Sequence, residues 1–419
     1  LQYFIGLNCY QQEPPLESSM LVHFRKRIDG ELINKINKKI VKREIDKSDK
    51  EVKKKDCLQE KGEKIKNKGK LILDATCAPA DIKYPTDLGI LNQARIETER
   101  IIDNLYKPLR VKLRKKPRTS RKIARKEYLK VAKKRKVSYQ ERRKAIGKQL
   151  KYLKKNLGNI EDLIQAGASL ENLSKRQKNC LETIKKVYEQ QQSMWENKTQ
   201  SVPQRIVSLT QPHIRPIVRG KAGKPIEFGA KLSVSCVDNY VFLDKISWEN
   251  FNESCHLKEQ VEKYKETFGY YPESVHVDKI YRTRENRNWC KERGIRISGP
   301  KLGRPPKNVS EEEKKQAHSD ECFRNAIEGK FGQAKRRFSL NLVMTKLPET
   351  SITSIAITFL VVNLSKLLRQ FLSLFLSLFT NNRTGELIKP PFINFDYTLN
   401  NFYVLKLIDL SENSWSKVA

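Results

Sequence analysis

The order of apolar runs along the chain predicts a mixed α/β sheet with flanking helices. Three features carry that reading. A short apolar run, Leu71–Thr76, is bounded by charged sequence. Two segments with period-2 apolar residues, Ile226–Val237 and Tyr240–Trp248, flank the turn pair Asp238-Asn239. Segments of helical period stand between and after them.

Taken in order, Leu1–Ile40 predicts short helices: Leu16, Leu21, Phe24, Ile28 and Leu32 recur at helical spacing, and Glu17-Ser18-Ser19 is a start signal. Lys38–Lys70 is charged and poor in apolar residues, which predicts a solvated linker. Leu71–Thr76 is a buried strand with one carboxylate, Asp74, near its end. Thr86-Asp87 caps a helix running to about Tyr106. Ser138–Asn156 and Ser174–Glu196 form a helical hairpin through the turn region Gly158–Gly167. After the strand hairpin come a helix at His256–Phe268, a strand at Ser274–Val277 ending at Asp278, a helix at Arg284–Arg293 and a strand at Gly294–Ser298. A Gly/Pro loop, Lys301–Lys307, precedes the polar helix Ser310–Phe338 and the apolar helix Ile352–Phe379. Lys366 and Arg369 interrupt that last segment, so no uncharged run reaches the ~18–20 residues of a membrane span. It is expected to be a buried core helix.

Composition narrows the function. The chain has 419 residues, enough for two or three domains, and a formal net charge of +36 from 84 Lys and Arg against 48 Asp and Glu. That excess argues against an ordinary acidic metabolic enzyme and for a polyanionic partner. Hydrophobic residues at 38%, with 15 Tyr and 16 Phe, exclude a purely disordered basic tail. The eight Cys contain no C-x-x-C pair and read as reduced thiols, not as a disulfide framework or zinc ribbon. Leu1–Leu7 lacks the basic region of a signal peptide, and a chain opening without Met is expected to lack its true start. Between residues 101 and 150, 20 Lys or Arg face three acids, Asp103, Glu127 and Glu141. So dense a basic run predicts a nucleic-acid surface, with Lys133, Lys134, Arg135 and Lys136 at its centre.

Asp74 and Asp278 each follow or interrupt a short apolar strand. Either alone reads as a turn-capping Asp. Together they can converge at the carboxyl edge of one sheet, the usual place for a site in an α/β fold. In Arg324-Asn325-Ala326-Ile327-Glu328-Gly329-Lys330-Phe331-Gly332-Gln333-Ala334-Lys335, residues 324, 328 and 335 stand within roughly 40° of one another on a helix. That stripe is either a solvated charged face or one side of a site. Ile327, Phe331 and Ala334 beside it point to a packed setting. Three converging carboxylates repel, and divalent metal removes the conflict. With the net charge, this suggests metal-dependent attack on a phosphodiester. Asp238 and Asp244 are competing acids, though Asp238 suits the hairpin turn. Trp195 reads as a core residue or a base-stacking platform. Gly303-Arg304-Pro305 is a minor-groove hook or a plain loop. His318/Cys322 and Cys255-His256 do not complete a tetrahedral zinc set.

Several stretches resemble the DDE transposases of bacterial insertion sequences. Leu1-Gln2-Tyr3-Phe4-Ile5-Gly6-Leu7 with Phe24-Arg25-Lys26-Arg27 is similar to the end-binding domain of the branch resembling InsH. Asp74-Ala75-Thr76, Pro79-Ala80-Asp81-Ile82 and Tyr84-Pro85-Thr86-Asp87 resemble the first catalytic motif of that branch. Asp278 with Tyr281-Arg282-Thr283-Arg284-Glu285-Asn286 resembles the second. Arg324 to Gly329, with Phe331-Gly332 and Lys335, resembles the third. One departure is that Glu321 stands where related families carry a Tyr.

The resemblance implies an RNase H-like core, with Asp74, Asp278 and Glu328 as catalytic residues and metal ligands for two Mg2+ or Mn2+ ions. It implies cut-and-rejoin chemistry on double-stranded DNA, by a homodimer in the active complex and with no membrane partner. Arg324, Asn325, Lys335 and Arg282 would contact DNA near the site, and Arg25, Lys26 and Arg27 at the element ends. The expected division is a helical end-binding domain at 1–50, a linker at 51–70, the core at 71–90 and 220–368, a basic helical insertion at 91–219 and a tail at 369–419. A bacterial, cytoplasmic, nucleoid-associated location follows. The alternatives are a non-catalytic DNA-binding protein derived from a transposase and an RNase H-like nuclease without strand transfer.

Overall fold

A computed structural model describes residues 27–55, 67–221, 224–299 and 310–380, with a few scattered positions between 12 and 23. Its contacts divide the chain into two units, Leu1–Leu364 and Ser365–Ala419. Leu1–Leu7, Phe24, Arg25, Lys26, the 301–307 loop with its Gly303-Arg304-Pro305 hook, and the tail from 381 on lie outside the described residues.

A six-stranded sheet forms the centre of the first unit. Its strands are β1 (Lys70–Pro79), β2 (Arg215–Lys221), β3 (Lys224–Val237), β4 (Tyr240–Ser247), β5 (Ser274–His276) and β6 (Arg296–Ser298). β1 pairs antiparallel with β3 from Ile72↔Cys236 to Pro79↔Gly229, and β3 pairs antiparallel with both β2 and β4. On its other side β1 pairs in parallel with β5, which pairs in parallel with β6. The hairpin turns at Asp238 and Asn239, both at positive φ (47° and 63°), the two-residue geometry that matches strand twist. At Gly229 a Cβ would meet the Ala78 carbonyl oxygen at 2.1 Å, so only glycine lets β3 approach β1 there.

β1 is buried on both faces, which explains its unbroken apolar start. Its alternate residues sort cleanly. Ile72 and Ala78 join a core with Leu232 and Val234 of β3, Val241 of β4, and Ile327, Phe331, Ile355 and Phe359 of two helices. Leu71 faces the opposite side, with Phe242, Tyr264 and Phe268. The helices are α1 (Gly30–Lys55), α2 (Asp87–Leu109), α3 (Arg121–Ala132), α4 (Tyr139–Gln165), α5 (Lys175–Glu196), α6 (Leu257–Phe268), α7 (Arg284–Glu292), α8 (Glu311–Arg337) and α9 (Pro348–Thr380).

Several boundaries differ from the sequence reading. The charged stretch after Lys38 is helix through Lys55, not linker. Buried Ile33, Asn37, Val41 and Ile45 recur at helical spacing there and outweigh the surrounding lysines. Asn37 and Asn363 knit α1, β4 and α9 together: the Asn363 amide donates to Asn37 Oδ1 (2.8 Å) and to the Val241 carbonyl (2.8 Å). α4 runs straight through Gly158 to Gln165, because Ile160 and Leu163 are buried against Ile101, Ile102 and Leu105 of α2. α3 and β2 have no counterpart in the sequence reading. α9 is long and apolar enough to cross a membrane by length and composition, yet Ile355, Ala356, Phe359 and Val362 are buried in the sheet's core.

The helices of the 91–219 stretch have their own apolar centre. Leu91 and Ala94 of α2 pack with Leu150 and Leu153 of α4 and Ile184 and Val187 of α5. Buried Arg95 is held by Glu99 at 2.5 Å. Trp195 belongs to this packing: Gly147 lies against its ring, and its indole N–H donates to the Arg143 carbonyl at 3.2 Å.

Candidate active site

Sheet geometry explains how residues distant in sequence meet. Parallel pairing of β1 with β5 steps one residue at a time through Lys70↔Ser274, Leu71↔Val275 and Ile72↔His276. Two residues beyond the last pair stand Asp74, still within β1, and Asp278, just past the end of β5. Asp74 shares the face of Ile72 and Ala78, the face covered by α8. α8 buries Ile327, Phe331 and Ala334 and thereby turns Arg324, Glu328 and Lys335 toward the same place. A cavity of about 860 Å³ opens there, and Asp74, Asp278, Glu328, Arg324 and Lys335 all line it. They meet across gaps of 203 and 49 residues.

Asp74 is not at a strand end, as the sequence reading had it. It lies at mid-strand, because β1 stays paired with β3 as far as Pro79. Burial pushes its carboxyl up to about 6. A hydrogen bond from the Ala75 N–H (2.7 Å) and the charge of Arg324 oppose the rise, and Glu253 and Glu328 add to it. Asp278 is exposed and caps the short 3-10 turn Lys279–Tyr281, accepting from the Lys279 N–H at 2.7 Å. Its capping role and its place on the cavity coexist. Tyr281 ends that turn and is fully buried, and burial together with Glu253, Asp74, Asp244 and Asp278 raises its hydroxyl well above the usual range. Glu328 accepts from Arg324 at 2.9 Å, so this arginine is paired within α8 in the structure.

Other residues expected at DNA fall elsewhere. Asn325 is exposed on α8 and is absent from the cavity lining. Arg282 braces the end of β6, donating to the Gly299 carbonyl. Arg27 is exposed, as are Lys133, Lys134, Arg135 and Lys136. Lys134 is held by Glu141 at 2.6 Å. Of the competing acids, Asp238 forms the hairpin turn. Asp244 is tied down away from the cavity, accepting from Gln260 at 2.7 Å.

The sequence reading missed the cavity wall after β4. Asn250, Phe251, Asn252 and Glu253 line it, as does Lys231 of β3. Lys231, a cation set between Ala230 and Leu232 in the apolar half of its strand, is the signal that could have found it.

Three carboxylates are the hard oxygen donors that Mg2+ or Mn2+ takes, and a raised, enclosed Asp74 is a group that a cation would stabilise. In chemistry the donor set fits. In placement, no three acidic, His or Cys side chains among the described residues are gathered tightly enough to hold an ion.

No curated protein and no solved structure matches the chain. Asp278, Arg324, Glu328 and Lys335 all fall within residues 275–365, which match the family described as transposase DDE domain, and this match supports a DDE transposase.

Proposed function

We propose that this chain is a DNA transposase that cuts strands at the ends of its element and joins them to target DNA. The observation that carries the reading is the meeting of Asp74, Asp278 and Glu328 on one cavity, beside Arg324 and Lys335. The strand order supports an RNase H-like core: three antiparallel strands, β4, β3 and β1, are followed by β5 and β6 parallel to β1. The charge of +36 supports double-stranded DNA as the partner. The transposase-domain match does not favour a repurposed binder or a plain nuclease.

In this reading Asp74, Asp278 and Glu328 would hold divalent metal once brought together. Bound metal supplies Lewis-acid polarisation of the phosphodiester and a more acidic water. For Glu328 to join the other two carboxylates it must leave Arg324. A DNA phosphate provides the exchange, since the guanidinium can pair with phosphate oxygens as it pairs with a carboxylate. Lys335 holds the same or the neighbouring phosphate. Water forms the new P–O bond as the P–O3′ bond breaks, leaving a 3′ hydroxyl. That hydroxyl then attacks a target phosphodiester in the same cavity: its oxygen bonds to the target phosphorus as the target's own P–O3′ bond breaks, and the departing target strand keeps a 3′ hydroxyl that takes up the proton. We further propose that the N-terminal residues around Arg25, Lys26 and Arg27 recognise the element ends, that two copies act together, and that the protein works in the bacterial cytoplasm at the nucleoid.

Asp278→Asn tests the assignment. It preserves shape and the turn cap but removes a charged ligand. The expected result is loss of Mg2+-dependent strand cleavage with DNA affinity held or increased, since a negative charge facing phosphate is gone. A variant that cuts at the wild-type rate would overturn the role.

A further inference from the structure

We propose that Lys231 is a positioning residue that latches the Asn250–Glu253 wall of the cavity into its working shape and sets Glu253 beside Asp74. The inference rests on the transposase reading above for its consequence in catalysis, but its structural half stands independently of it.

The latch is built from one ammonium group. Lys231 Nζ donates to the Phe251 carbonyl (2.7 Å) and to Asn250 Oδ1 (3.1 Å) and pairs with Glu253 Oε1 (3.0 Å). An ammonium has three protons, so these three acceptors use all of them. The Phe251 ring lies 4.9 Å from the same nitrogen and adds a cation–π contact. The Lys231 side chain is only 12% exposed and that of Glu253 19%, so the pair is shielded from the solvent screening that weakens surface ion pairs.

Lys231 is well placed to transmit order. It sits on β3 opposite Cys77 of β1, so its backbone is fixed by the strand that carries Asp74. Among the described residues, Asn250–Glu253 takes no part in the sheet's strand pairing. Beyond Glu253 the wall is tied to the turn after Asp278: the Asn286 amide, itself 4% exposed, donates to the Ser254 carbonyl (2.9 Å) and to the Tyr281 carbonyl (2.9 Å). The wall therefore spans from β3, the neighbour of the strand of Asp74, to the turn of Asp278, with Lys231 holding the first end and Asn286 the second. Glu253 is the acid of this wall, and its charge acts on Asp74 in the same direction as that of Glu328. With all three donors engaged, Lys231 works through the wall and not on the phosphate.

Two measurements on Lys231→Met and Lys231→Arg test this. Met keeps the apolar stem and removes every donor; Arg keeps the charge and donors. In hydrogen exchange on the free protein, amides of residues 250–256 should exchange at least about tenfold faster in Lys231→Met, with β1 and α8 unchanged, and return toward wild type in Lys231→Arg. In strand cleavage, Lys231→Met should lower kcat roughly tenfold to a hundredfold, as loss of fit at a reacting centre does, with KM for DNA held within about twofold. Lys231→Arg should recover most of the loss. Unchanged exchange across 250–256 in Lys231→Met overturns the latch, whatever the cleavage result. Faster exchange with wild-type kcat overturns the catalytic half. If wild-type protein does not cut DNA, the transposase reading falls, and the exchange arm still decides whether Lys231 holds the wall.

Discussion

Asp244 shows how a carboxylate can be read wrongly from sequence. From sequence it competed with Asp74 and Asp278 as a site acid. In the fold it is enclosed beneath α6, and burial pushes its carboxyl up to about 6 against hydrogen bonds from Gln260 and Ser235. The sign of its linkage to stability follows. A raised folded pKa favours the folded state fully below the unfolded value near 4, and this contribution is lost as pH rises through about 6. Wild-type protein should therefore lose roughly 1–3 kcal/mol of unfolding free energy from this group between pH 4 and pH 7. Asp244→Asn should flatten that part of the curve. Urea melts at pH 4, 5.5 and 7 measure it, and an equal decline in the variant would show that the Asp244 carboxyl titrates alike in the folded and unfolded states. Asp74 and Asp278 were legible because a carboxylate in or after an apolar run is an anomaly. Glu253 was not, since a loop acid looks like an ordinary surface residue until the strands pair; Lys231 was an anomaly of the same kind as Asp74, a charge between Ala230 and Leu232, and went unread.

α8 is the element that brings the third carboxylate to the first two, and its anchor is Asp320. This residue is 7% exposed and lies on the core-facing stripe two turns before Glu328. Arg296 of β6 grips it at both oxygens (2.6 and 2.9 Å), and Gln316 donates to it at 3.0 Å. Burial would raise the Asp320 carboxyl, but these donors hold it below the usual range. Arg296→Met strands a buried carboxylate and should cost about 1–3 kcal/mol of stability, read from denaturant midpoints. No loss would mean that the apolar stripe alone sets the helix. The stripe was visible in the sequence at Ile327, Phe331 and Ala334; Arg296 was not, because its partner lies 24 residues away along the chain. Helix ends were mostly readable where a capping side chain marked them, as at Thr86, Ser138, Ser174, Thr283 and Ser310. They were lost where buried apolar residues carried a helix on through Gly158 or beyond Lys38.

At the scale of the molecule, the charge is unevenly spent. All three acids of the 101–150 window are already paired: Asp103 with Lys116 and Arg121, Glu127 with Lys148, and Glu141 with Lys134. The remaining excess of this window is largely exposed, and on the transposase reading so dense a run of Lys and Arg would meet phosphates and not base edges. Replacing Lys133, Lys134, Arg135 and Lys136 with Gln should weaken binding to any duplex about equally. It should lower the slope of log K against log salt by about 3, since each phosphate contact carries about 0.9 and Lys134 is shared with Glu141. A loss of end preference at constant slope would place sequence reading in the insertion.

The central claim is that three carboxylates far apart in sequence act as one site, and double variants test it most directly. Strand cleavage with Mg2+ should be measured for Asp74→Asn, Asp278→Asn and Glu328→Gln, singly and in pairs, alongside duplex affinity. Groups that act as a unit are not additive, so each single variant should lose cleavage about as completely as any pair, on the order of a thousandfold, with DNA binding retained. A single variant that cuts within a few fold of wild type, or losses that multiply from one variant to the next, would contradict a shared site.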